Sequence, residues 1–293
     1  MSVRHHRSVR TADGVDLHVV EAGRPDGPAM VLVHGLASSS SAWEGLLGNE
    51  ALASRFRLIA FDLRGHGRSG TGLEPEQLAA EGPEAGARLW SLDLDAVLAG
   101  IGSPILVGWS FGSGVIQSWL YAHQGLEGAA AVVLASAPNV IGPVPPGDVA
   151  EGLVSPEAFG VLAGAARDGL SFARLILADA EGDTSFSAEC RDHVAAIAEA
   201  TPPGTVAAVL RYLIDFRPLL SSLASPDRAR LTVIAAEGDQ LFAYDAMRAV
   251  WAQVNVRAVC VPEAGHALPL RHPDRFARIL LDIAGPAAAS PAP

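Results

Sequence analysis

One pentapeptide constrains this 293-residue chain more than any other stretch: Gly108-Trp109-Ser110-Phe111-Gly112. Before it lies the apolar run Ser103-Pro104-Ile105-Leu106-Val107, which reads as a buried parallel strand. After it, Gly114 to Leu120 places apolar residues at helical spacing. The pentapeptide therefore sits where a strand turns into a helix. So tight a turn leaves room only for small residues beside the serine, which accounts for Gly108 and Gly112. It also lifts the Ser110 hydroxyl clear of the backbone, close to a helix N-terminus whose free N–H groups stabilise negative charge. The plain alternative is a glycine-rich βα turn with an incidental serine, and the flanking strand and helix argue against it.

The rest of the chain repeats the strand-then-helix pattern. Val15 to Val20 alternates apolar and polar side chains and reads as an edge strand. Met30 to Val33 and Arg57 to Phe61 are short buried strands, ending in His34-Gly35-Leu36 and in Asp62-Leu63-Arg64-Gly65-His66-Gly67-Arg68-Ser69-Gly70. Ser38 to Ser41 offers serine oxygens to cap a helix through Trp43 and Leu47. Leu73 to Ala87 is rich in Glu, Gly and Ala and reads as a solvated loop, with a helix beginning at Trp90. Ala130 to Leu134 is a further strand. From Asn139 to about Leu223 the alternation stops and helix-like segments take over: Pro156–Ala166, Phe172–Ala178, Ala188–Ala198 and Thr205–Leu213. Strands resume at Leu231–Ala236 and Val256–Val261, with helices around Asp245–Ala252 and Pro273–Ile283. The Pro/Ala-rich tail, Gly285 to Pro293, reads as disordered.

This pattern implies an α/β fold: a mostly parallel central sheet, helices on both faces and an inserted helical cap. The expected division is a core of residues 1–138 and 224–293 with a cap of 139–223. Loops at the strand C-terminal ends then share one edge, where sites form.

Composition removes whole classes of function. With 21 basic and 32 acidic residues the formal charge is -11, and no basic cluster invites nucleic acid or an anionic membrane. Cys190 and Cys260 form neither a metal spacing nor a disulfide framework, which points to a reducing compartment. The N-terminus lacks the apolar core of a signal peptide, and no apolar run reaches the ~20 residues of a membrane helix. The chain reads as a soluble cytoplasmic protein, and its alanine-rich, lysine-free composition hints at a bacterial origin. Gly65 to Gly70 matches G-x-G-x-x-G but runs into Thr71-Gly72-Leu73-Glu74-Pro75 rather than a helix, so it is no dinucleotide fingerprint. Gly108 to Gly114 lacks the Gly-Lys-Ser/Thr ending of a phosphate loop. Neither a metal nor another cofactor is implied.

A serine is a weak nucleophile at neutral pH and needs a base, which needs a group to orient it. Asp239 follows the strand ending at Ala236, and His266 follows the strand ending at Val261. The acid has competitors in Glu237, Asp245 and the loop near Asn139. His34-Gly35, Asp62-x-Arg64-Gly65-x-Gly67-x-Ser69, Gly108-x-Ser110-x-Gly112 and Gly265-His266 with Pro273, in that order, resemble the α/β-hydrolase superfamily, of the kind with a helical cap. The resemblance spans nearly the whole chain. It implies Ser110 as nucleophile, His266 as base and Asp239 as orienting acid. It further implies an oxyanion hole from the backbone N–H groups of Leu36 and Phe111. His34, Asp62 and Arg64 read as loop-shaping residues.

Trp109 and Leu268 are candidates for the substrate pocket. The cap is apolar (Phe159, Val161, Leu162, Phe172, Leu175, Ile176, Leu213, Phe216). Most of these side chains must pack against the core, and any that reach the site favour an apolar group of moderate size. The expected activity is hydrolysis of an ester, lactone or related acyl substrate. Elimination, C–C cleavage, acyl transfer or perhydrolysis on the same three residues is the alternative, with a ligand-binding module behind it. The partner is a small molecule, and the sequence leaves monomer or homodimer open.

Overall fold

Short, almost uninterrupted apolar runs suit strands covered on both faces, and the chain uses them to build one eight-stranded sheet. The computed structural model describes residues 3–72, 84–137, 156–211 and 216–285. Its strands are β1 (His5–Arg10), β2 (Asp16–Gly23), β3 (Ala29–Val33), β4 (Arg57–Phe61), β5 (Ile105–Trp109), β6 (Ala131–Ala135), β7 (Leu231–Ala236) and β8 (Arg257–Val261). They lie in the order β1-β2-β4-β3-β5-β6-β7-β8. β1 pairs antiparallel with β2, and β2 antiparallel with β4; every other pairing is parallel. Every residue of β3, β5 and β7 is buried.

The strand order positions the site. The chain leaves β3 for β4 on one side and returns to β5 on the other, so loops diverge between β3 and β5, where sheets of this kind form crevices. Val33 lies opposite Gly108. The His34-Gly35-Leu36 loop and the Ser110 turn therefore leave the sheet side by side.

The first helices are α1 (Glu44–Leu47) and α2 (Glu50–Ala53), followed by α3 (Glu84–Leu98) and α4 (Phe111–His123). Between β6 and β7 come α5 (Pro156–Ala163), α6 (Gly169–Leu177), α7 (Ala188–Ala200), α8 (Pro203–Arg211), α9 (Arg217–Ser222) and α10 (Ser225–Ala229). No strand occurs there among the described residues. The chain ends with α11 (Tyr244–Gln253), α12 (Leu268–Arg271) and α13 (Pro273–Ala284).

Three expectations change. β2 is not the edge strand, because β1 pairs along it. β1 is polar and largely exposed, so it carries no apolar period to read; its charged side chains suit the sheet's outer edge. The helix expected from Trp90 starts at Glu84, within the stretch read as a solvated loop. Ala85 and Ala87 are buried there, and so small an apolar face escapes a reading based on large side chains. The helix expected across Ser38 to Leu47 is divided into a 3-10 turn, Ser40–Trp43, and α1. Ser39 caps the turn, accepting from the Ser41 N–H at 3.3 Å. Asn139, Leu213 and the tail beyond Gly285 lie outside the described residues.

Candidate active site

The elbow is a single residue long. β5 ends at Trp109, α4 begins at Phe111, and Ser110 between them has φ 53° and ψ −120°. A positive φ at a residue with a side chain costs about 1–3 kcal/mol and persists only where the surroundings enforce it. Here the Ser110 N–H donates to the Ala135 carbonyl at 2.8 Å, and the Ser113 N–H donates to the Ser110 carbonyl at 2.9 Å. The flanking glycines answer to backbone crowding. A Cβ on Gly108 would lie 2.6 Å from the Ser113 nitrogen, and one on Gly112 would run into the Val33 carbonyl oxygen.

The candidate base and acid arrive from the far side of the sheet. His266 follows β8 and Asp239 follows β7, and both are buried. His266 Nδ1 lies 2.9 Å from Asp239 Oδ2 and 3.1 Å from Oδ1. An ionised carboxylate only accepts, so the Nδ1–H donates and Nε2 keeps its lone pair. Asp239 Oδ1 also accepts the backbone N–H groups of Leu241 and Phe242, each at 2.9 Å. Of the competing acids, Asp245 is exposed and pairs with Arg248, and Glu237 is exposed. Asp239 is thus the carboxylate that the fold brings to His266.

Trp109 does more than line a wall. Its indole N–H donates to the His266 carbonyl at 2.7 Å, and the Ser136 hydroxyl donates to the same oxygen at 3.3 Å. The side chain before the elbow therefore tethers the histidine loop. Sequence reading missed this role, since the two residues lie far apart in the chain.

His34 ties two loops together. Its Nε2 accepts the Leu63 N–H at 3.0 Å, which leaves Nδ1–H to donate to the Gly35 carbonyl at 2.7 Å. Burial lowers its pKa and favours this neutral ring. Asp62 accepts from the N–H groups of Ser40 at 2.6 Å and Arg68 at 2.9 Å. Buried Arg64 donates to Asp93 and Asp13 at 2.8 and 2.7 Å. These bonds fix the backbone around Gly35 and Leu36 against the elbow; a Cβ on Gly35 would sit 3.3 Å from that of Ser110.

Ser110 and His266 line the same small cavity. Leu36, Trp109 and Leu241 contribute from the sheet edge, and Leu162, Phe172 and Ile176 from the helices between β6 and β7. Leu268, the other pocket candidate, is buried at the start of α12 and does not line this cavity. Phe111 is the first residue of α4, a position whose N–H has no acceptor within the helix. Among the described residues there is no group of three metal-ligating side chains, and no helix is long and apolar enough to cross a membrane.

Sheet order, elbow and the helices between β6 and β7 together define the α/β-hydrolase fold. The chain belongs to the alpha/beta hydrolase family, whose sequence profile matches residues 30–279. It is similar to the crystal structure of the esterase RhEst1 from Rhodococcus sp. ECU1013, with a TM-score of 0.77 and 27% identity over 96% of this chain and 98% of that one. It is also 29% identical to 3-oxoadipate enol-lactonase 2 of Acinetobacter baylyi over 124 residues, 42% of each protein. A shorter stretch of 63 residues, 22% of this chain, is 48% identical to "Probable oxidoreductase EphD" of Mycobacterium tuberculosis. That stretch spans only 10% of the mycobacterial protein, so its name describes far more sequence than this chain matches.

Proposed function

We propose that this protein is a serine hydrolase acting on a small to moderate-sized ester or lactone through an acyl-Ser110 intermediate. The observation that carries the reading is that His266, bonded to buried Asp239, lines the same cavity as Ser110. The names of the esterase and the enol-lactonase to which the chain is similar support the substrate class.

In this mechanism the Ser110 hydroxyl attacks the substrate carbonyl carbon while His266 Nε2 accepts its proton. Asp239 holds the ring in the required tautomer and stabilises the imidazolium that forms. Charge on the carbonyl oxygen is met by the N–H groups of Leu36 and Phe111; losing one such donor costs ~2.7–4 kcal/mol of barrier elsewhere. Collapse of the tetrahedral intermediate expels the alcohol, which takes the proton from His266. Water, deprotonated by the same ring, then attacks the acyl-enzyme and releases the acid.

The helices described between residues 156 and 222 act as a cap, since Leu162, Phe172 and Ile176 close the cavity opposite the sheet edge. Leu36, Leu162, Phe172, Ile176 and Leu241 make those walls apolar, and among the described lining residues there is no Asp, Glu, Lys or Arg, which favours an uncharged substrate with an apolar acyl or alcohol part. Fluorophosphonate labelling followed by intact-mass measurement tests the reading. Wild type should gain one adduct and Ser110→Ala none, and a panel of esters and lactones should be turned over only by wild type. Turnover by Ser110→Ala at the wild-type rate would refute it.

A further inference from the structure

The backbone on either side of His266 is held by the helical segment as well as by the core. The Gly265 N–H donates to Asp179 Oδ1 at 2.7 Å, and the Ala267 N–H donates to the Ile176 carbonyl at 3.0 Å. Ile176 belongs to α6 and Asp179 follows it by three residues. This stretch presses onto both loops that bear the acid and the base. A Cβ on Gly238 would run into the Asp179 carbonyl oxygen, and one on Gly265 into that of Ala178. The two glycines thus leave room for the passing chain.

Asp179 is itself braced. Its Oδ2 accepts from Arg271 at 2.8 and 3.2 Å and from His272 Nε2 at 2.8 Å. Its own N–H donates to Asp183 Oδ2 at 3.0 Å, and that oxygen lies 3.4 Å from Arg271. Arg271 also donates to the Ser185 hydroxyl at 2.9 Å. One carboxylate oxygen is fixed by the Arg271 guanidinium and the His272 ring, and the other is thereby aimed at Gly265. Asp179 and Arg271 are both mostly shielded from water, with side chains 16% and 12% exposed, so their pairing is screened less than a surface ion pair.

We infer that Asp179 is a positioning residue for His266, setting the histidine loop through the Gly265 N–H. It touches neither substrate nor the reacting atoms. Its effect runs through the backbone to the His266 ring, whose reach to Ser110 and bond to Asp239 depend on where that loop lies. The cap is then part of the triad's support as well as a wall, because Ile176 lines the cavity with its side chain and holds Ala267 with its carbonyl. The inference rests on the catalytic role proposed for His266.

The test compares Asp179→Ala and Asp179→Asn with wild type and Ser110→Ala on an ester that wild type hydrolyses. Misplacing a catalytic group by about an ångström costs up to ~100-fold, so kcat for Asp179→Ala should fall ~10- to 100-fold. KM should stay within about threefold, since the cavity walls are unchanged. Fluorophosphonate should label Asp179→Ala at Ser110 more slowly than wild type. Asp179→Asn keeps an acceptor for Gly265 but loses the anchoring charge, and should fall between the two.

A merely structural residue would lower the melting temperature and leave the kcat and the Ser110 labelling rate of the folded fraction unmoved; that result overturns the inference. If Asp179→Ala does not fold, a wild-type kcat and labelling rate in Asp179→Asn overturn it equally. Full activity in Ser110→Ala would sink the triad reading and this inference together. A dead Ser110→Ala beside an unaffected Asp179→Ala would sink this inference alone.

Discussion

At the scale of single residues, the site depends on atoms that only one side chain can supply. Asp239 accepts from His266 Nδ1 and from two backbone N–H groups. Asp239→Asn keeps the volume, but its amide can present an N–H to the ring and stabilise the wrong tautomer. We expect kcat to fall ~10⁴-fold with little change in KM, as in another serine enzyme with this substitution; steady-state kinetics decide it. Gly112 is under a steric constraint instead. A Cβ there collides with the Val33 carbonyl, a backbone atom of a fully buried strand. Gly112→Ala should destabilise the fold by ~1–3 kcal/mol or more, read as a lower denaturation midpoint. That Asp239 would meet His266 beside the Ser110 turn was legible in the sequence because the chain order and the strand before each narrow the choice. Trp109's tether to His266 and Asp179's hold on Gly265 were not, because each joins residues far apart in the chain and leaves no local pattern.

At the scale of elements, the loop after β4 carries an acid-sensitive feature. His66 and His34 are both buried, with ring centroids 5.1 Å apart. Burial, with His34 alongside, pushes His66 down to about 3, and burial lowers His34 as well. Both rings are neutral in the fold, whereas in the unfolded chain they titrate near the ordinary 6.5. Below that pH the unfolded state binds more protons than the native one, so stability falls as pH falls. Each ring contributes a slope approaching ~1.4 kcal/mol per pH unit, and for His66 the loss continues to about pH 3. His66→Asn, which keeps a donor for the Arg64 carbonyl, should reduce the pH dependence of the denaturation midpoint between pH 6 and 4 by about one proton's worth. An unchanged slope would mean that His66 is already charged in the fold. The buried strands were legible because parallel strands covered on both faces must be apolar throughout. Exposed β1, the alanine-rich start of α3, and the short α9 and α10 were not, since none shows an extended apolar period.

At the scale of the whole molecule, the sheet edge supplies the proposed chemistry and the helical segment supplies the shape of the space. The run of helices between β6 and β7 was legible as a break in strand–helix alternation. Its docking was not, since apolar side chains such as Leu162 and Phe216 look alike in sequence whether they face the core or the site; Phe216 is buried in the core cluster, whereas Leu162 lines the cavity. Acyl-chain selectivity should therefore follow Leu162 and Ile176. Leu162 is half-buried, so Leu162→Ala should cost less than the ~2–5 kcal/mol of a fully buried truncation. It lengthens the cavity without touching Ser110, His266 or the Asp179 contact. Ile176→Val removes one methylene and preserves the carbonyl that holds Ala267. Each methylene accommodated or refused in an apolar pocket is worth ~1–3 kcal/mol of discrimination. Across p-nitrophenyl esters of increasing acyl length, the kcat/KM ratio of octanoate to acetate should rise ~10-fold or more in Leu162→Ala, and by less in Ile176→Val. A ratio unmoved in both variants would place the acyl chain elsewhere and leave these helices covering the alcohol side. In that case the length of the alcohol, varied at constant acetyl, would become the quantity that responds.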